Sequence, residues 1–167
     1  DVTTITTAGE VVGIAPERLL DTRDTTRLAA GEERPIVAAG SPGVPTDASA
    51  VGVNVTIVQP SAPGNAVVKP CGSPSNASTI NFLGGEFVAH FAFTAMTAGA
   101  LCVTSTVDTD VIVDTFAYVP RTSPVFTIGP TRALDTRDGT GGTQGAIASG
   151  STARVTVAGA HGVPADA

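Results

Sequence analysis

The sequence predicts an all-β chain: an antiparallel β-sandwich or jelly roll of about eight strands, followed by the first two strands of a second copy. Three observations carry this expectation. Short runs in which apolar and polar residues alternate are separated by clusters of Gly, Pro, Asn, Asp and Ser. The 19 Gly and 12 Pro, set among many Val and Thr, leave no sustained helical period. The chain also repeats itself. Pro16-Glu17-Arg18-Leu19-Leu20-Asp21-Thr22-Arg23-Asp24 returns 114 residues later as Pro130-Thr131-Arg132-Ala133-Leu134-Asp135-Thr136-Arg137-Asp138, identical at seven of nine positions. Gly43-Val44-Pro45-Thr46-Asp47-Ala48 returns as Gly162-Val163-Pro164-Ala165-Asp166-Ala167. A spacing of that size marks a repeated domain, not a solenoid unit.

The elements follow in order. Residues 1–12 read as an extended, Thr-rich lead-in. The module spans 13–119. In its opening motif, strict alternation would put Arg18, Leu20 and Thr22 on one face and Leu19, Asp21 and Arg23 on the other. Arg34–Ala38 is a second short strand. Ala50–Val58 alternates Val51, Val53, Val55 and Ile57 with Gly52, Asn54 and Thr56, the pattern of a half-buried antiparallel strand. Ala66–Cys71, Ser78–Phe82, Phe87–Ala95, Leu101–Thr106 and Val111–Val119 complete the eight. Within Phe87–Ala95 the residues Phe87, Ala89, Phe91 and Phe93 share a face, read as the core face, opposite His90 and Thr94. Residues 120–127, with Pro120 and Pro124, read as a linker. Residues 128–167 form the partial second repeat, with strands expected over Arg132–Thr136 and Ala153–Ala158. Two strands alone bury no core, so these are expected to be disordered, to pack on the first module or to pair with another chain.

Composition excludes several functions. Apolar residues make up 42% and charged residues 14%, which suits a globular domain with a real core. Net charge is −6, and no cluster of Lys or Arg occurs. Such a chain lacks the electrostatic footprint for nucleic acid, and no apolar run is long enough for membrane insertion.

The set Arg18-Leu19-Leu20-Asp21-Thr22-Arg23, Gly43-Val44-Pro45, Asn54-Val55-Thr56, Pro70-Cys71-Gly72, Asn81-Phe82, Leu101-Cys102-Val103 and Val113-Asp114-Thr115-Phe116-Ala117-Tyr118 resembles a known repeat module. The module occurs in large secreted and cell-wall proteins of high-GC Gram-positive bacteria. The resemblance covers residues 14–119 and restarts at 128–167. It implies an extracellular module found in tandem or beside hydrolases, with no catalytic role of its own.

Cys71 and Cys102 are even in number and sit in a β-rich chain, which favours a disulfide over two buried thiols. Asp114 lies among apolar strand residues and needs a partner. Arg18 or Arg23, or the counterparts Arg132 and Arg137, are the candidates, while Asp21 and Asp135 can pair with the arginines of their own motifs. These seven residues are expected to form structural ion pairs that fix register. Asp108 and Asp110 are weak candidate calcium ligands, more simply read as turn residues, and no other cofactor is expected. The histidines, His90 and His161, have no nucleophile motif beside them, so no catalytic residue is assigned. The expected function is a non-catalytic structural or adhesive module at the cell surface. Its partners would be other copies of the module, in a homo-oligomer or filament assembled through strand pairing of the second repeat. The alternative is a carbohydrate- or cell-wall-binding module accessory to a secreted hydrolase, recognising cell-wall glycan.

Overall fold

The computed structural model describes residues 11–75 and 77–167. The lead-in strand signal at residues 2–7 lies outside the described residues. Eight strands form: β1 (Val12–Asp21), β2 (Glu33–Val37), β3 (Ala50–Val58), β4 (Gly64–Pro70), β5 (Ile80–Phe82), β6 (Phe87–Ala95), β7 (Ala100–Ser105) and β8 (Asp110–Val119). They make two four-stranded sheets, ordered β1-β8-β3-β6 and β2-β7-β4-β5. All pairings are antiparallel, and they nest: β1 with β8, β2 with β7, β3 with β6, β4 with β5. One long hairpin has thus been rolled so that successive pairs alternate between sheets, which is a jelly roll.

The core lies between the sheets. Val51, Val53, Val55 and Ile57 of β3 point inward and are fully buried, as their alternation requires. Val111 and Val113 of β8, Leu101 and Val103 of β7, Val68 of β4 and Ile80 of β5 meet them. Each such side chain stabilises the sandwich by about 1.5–3 kcal/mol relative to exposure.

Nesting puts β1 and β2 at the edges of their respective sheets on one side of the roll, and β6 and β5 on the other. The first two strands of the module are therefore one wall. The motif that ends β1 and the turn that follows β2 are what recur in the sequence after residue 128.

Several expectations need correction. No strand forms over residues 120–167; Arg132–Thr136 and Ala153–Ala158 lie outside any sheet, with one isolated bridge between Asp135 and Thr140. A strand is stable only when a neighbour takes up its backbone groups, and the described residues offer these segments no such neighbour. The Phe face of β6 is also not the core face. Phe87, Phe91 and Phe93 are 67%, 54% and 40% exposed, while Val88 and Ala92 pack on the core and Thr94 is buried. The register explains it, since Phe93 and Phe91 lie opposite Gly52 and Asn54 on the outer face of β3. Gly52 leaves the gap that the rings fill: a Cβ there would lie 2.9 Å from the Phe93 ring and 3.2 Å from the Phe116 ring.

Strict alternation fails in two more places. Register shifts in β1 fall between Gly13 and Glu17 and between Arg18 and Leu20. In β8, Phe116 is an extra residue opposite the Gly52–Val53 step, so Tyr118 packs towards the core while Asp114 stays outside.

Candidate functional site

The repeated motif builds a compact clasp. The shift at Leu19 turns Arg18 out of alternation, so that Arg18, Asp21 and Arg23 converge. Asp21 accepts from Arg18 Nη1 at 2.7 Å, from Arg23 Nε at 2.9 Å and Nη2 at 2.6 Å, and from the Arg23 backbone N–H at 3.2 Å. The backbone bond is an Asx-type turn that bends the chain out of β1. Arg18 also donates through Nε to Asp114, tying the clasp to β8 across the Arg18–Asp114 register pair. The Arg23 side chain, by its hydrogen bonds, is the main reason the Asp21 carboxyl is held at about 2.

Thr22, between the charged residues, is completely buried. Its hydroxyl accepts the Val111 N–H at 2.8 Å and donates to Asp110 Oδ1 at 3.1 Å. Leu19 and Leu20 pack against the core. The motif therefore seals one end of the β1–β8 seam, with charge outside and Thr22 and the leucines within.

The second copy builds the same clasp. Asp135 accepts from Arg132 Nη1 at 2.8 Å, from Arg137 Nε at 2.9 Å and Nη2 at 2.5 Å, and from the Arg137 N–H at 3.0 Å. Hydrogen bonding from Arg137 holds its carboxyl well below the usual range. The downstream turn repeats too. After β2, the N–H groups of Gly40, Ser41, Val44 and Ala48 donate to the carbonyls of Val44, Ala38, Ser41 and Pro45. In the second copy Gly159, Ala160, Val163 and Ala167 donate in the same pattern to Val163, Val157, Ala160 and Pro164. Gly43 and Gly162 both take φ near +80°, the left-handed region that glycine tolerates. Each faces the equivalent isoleucine, Ile14 in the first copy and Ile128 in the second. One tie between this arm and the sandwich is the Ser75 hydroxyl, which donates to the Pro130 carbonyl at 3.0 Å.

The remaining candidate residues are structural in their contacts. Cys71, just past the end of β4, and Cys102 of β7 form a disulfide between residues 31 apart in sequence. It contributes about 3–4 kcal/mol on the chain-entropy account, and it is compatible with an extracellular location. Beside it Lys69 Nζ binds Glu33 at 2.6 Å and the Ser73 carbonyl at 2.6 Å, which pins the loop after β4. This pair borders an open groove on the outer face of the second sheet, floored by Asn65, Val67, Thr104 and Thr106. Asp108 accepts the Ala30 N–H at 2.8 Å, and Asp110 binds Arg27 at 3.3 Å as well as Thr22. Both carboxylates thus hold the β2-side connection onto the turn before β8. His90 is exposed on β6, and His161 occupies the repeated turn with φ +56°.

The chain matches no protein-family model and no curated protein.

Two features escaped the sequence reading. Thr22 was overshadowed by its charged neighbours, although an uncharged hydroxyl invariant between the two copies was a visible signal. The outward Phe face was hidden because Phe/Ala alternation gives the period of a strand but not which side is the core.

Proposed function

We propose that this chain is a non-catalytic structural repeat module of an extracellular surface or secreted protein. It assembles by offering the wall segments of its second copy to the strands of another module. One observation carries the reading. Asp135 repeats the arginine and backbone bonds of Asp21, and residues 157–167 repeat the turn bonds that follow β2, yet residues 120–167 form no sheet among the described residues.

The chemistry of pairing follows from the first module. There the wall is held by β8 and β7, which take up the backbone groups of β1 and β2, while Arg18 meets Asp114. A second wall with the same clasp fits the same seats on another roll. In that seat Arg132 takes the place of Arg18 beside an Asp114-type carboxylate. Strand addition of this kind draws affinity from main-chain bonds and register from side chains. The non-catalytic reading is supported by the contacts of Asp21 and Asp135, whose carboxylates are spent on arginine clasps. The disulfide and the resemblance to secreted repeat modules support the location.

Light scattering on residues 1–167 and 1–122 tests the reading. The longer chain is expected to form larger assemblies at equal molar concentration. Identical masses for the two would contradict it.

A further inference from the structure

The four edge strands of the roll are not treated alike. β1 carries Pro16, Glu17, Arg18 and two register irregularities. β2 carries Glu33, Arg34 and Pro35. β5 is three residues long. Prolines, charges, bulges and brevity are the devices that stop an edge from adding strands. β6, Phe-Val-Ala-His-Phe-Ala-Phe-Thr-Ala, has none of them. It runs nine residues in unbroken register with β3, contains no Asp, Glu, Lys, Arg or Pro, and displays three exposed Phe.

The ladder shows which backbone groups face out. Gln59 N–H donates to the Glu86 carbonyl and Met96 N–H to the Ser49 carbonyl, fixing the phase of the β3–β6 hydrogen bonds. By alternation, Val88, His90, Ala92 and Thr94 bond to β3. The N–H and C=O groups of Phe87, Ala89, Phe91, Phe93 and Ala95 then point away from the sheet, where no described strand pairs with them.

We propose that this edge is a self-association site, where β6 of a second copy of the chain pairs antiparallel about a two-fold axis. The sequence is self-complementary in that register. With Phe91 opposite its own equivalent, Phe93 lies opposite Ala89 and Phe87 opposite Ala95, so large residues meet small ones. Five residue pairs then make about ten inter-chain hydrogen bonds. The two outer sheet faces become continuous, bringing the Phe87, Phe91, Phe93 and Phe116 rings of both copies onto one surface. No charged side chain on β6 opposes a second copy here. Each chain carries −6 in total, and β6 is an edge that two such chains can bring together without opposing carboxylates.

Sedimentation and light scattering on the full chain test this, with Ala89→Pro and Phe91→Lys as variants. Ala89→Pro removes an outward N–H and no bond to β3, and Phe91→Lys places like charges at the axis, so both leave the roll folded, as circular dichroism and melting will verify. Both folded variants are expected to form smaller assemblies than the wild type at equal concentration. In residues 1–122, which hold all eight strands without the arm, the unsubstituted form is expected to reach twice the mass of one chain and the variants to remain monomeric. A wild type that is monomeric throughout the micromolar range overturns the proposal, including one whose Phe face instead binds soluble cell-wall glycan saturably. In residues 1–122, a dimer that survives in both folded variants overturns it as well. The arm-mediated assembly is distinguished because β6 pairing persists in residues 1–122, whereas arm pairing is lost there and survives Ala89→Pro.

Discussion

At the scale of single residues, the repeated motif divides its labour. Arg18, Asp21 and Arg23 make an exposed clasp, while Thr22 supplies a buried hydroxyl to the β8 backbone. Thr22→Val leaves the Val111 N–H without its acceptor and is expected to cost about 1–3 kcal/mol. Thr22→Ser, which keeps the oxygen, should recover most of that in a urea titration. The clasp also sets a pH dependence. Asp21 ionises at about 2 in the folded chain, below its value in an unfolded chain, so the unfolded state binds more protons between about pH 4 and 2. Its contribution is fully present above that window and drains away as pH falls through it. Glu32 and Glu33, lowered chiefly by hydrogen bonds from Arg34 and Lys69, act with the same sign. The urea midpoint should be level from pH 7 to 5 and fall below pH 4, with a shallower fall in Asp21→Asn. Repetition made the motif legible in the sequence. Its geometry was not, because the shift at Leu19 breaks the alternation from which faces are assigned.

At the scale of elements, strand positions were legible wherever turn residues bracket an alternating run, as in β3 and β8. The phase of a strand is a property of the sheet, not of its own sequence. β6 shows this: its Phe residues face outward because the inner face of β3 is already filled by Val51, Val53, Val55 and Ile57, and the rings settle over Gly52. Gly52→Val would drive methyl groups into the space held by Phe93 and Ala117 and is expected to destabilise by about 1–3 kcal/mol. The seam between β4 and β7 depends on Cys71–Cys102. Replacing both cysteines by serine should cost about 2–5 kcal/mol in thermal or urea unfolding.

At the scale of the whole molecule, the jelly roll gives the internal repeat its meaning. The recurring motif and turn flank β1 and β2, which in this topology form a wall, one strand at the edge of each sheet. Sequence alone showed the motif and the turn twice, and it predicted two strands there that do not form. It did not show that the copy keeps its clasp and turn while its strands remain unpaired, since local hydrogen bonds form without a partner and ladders do not. The account therefore turns on whether residues 132–136 and 153–158 become strands when molecules meet. Amide hydrogen exchange of the full chain, followed as concentration is raised, measures this directly. Protection is expected to appear in both segments as assemblies form, in step with the mass seen by light scattering. Amides that exchange at the unprotected rate in the assembled state would contradict it.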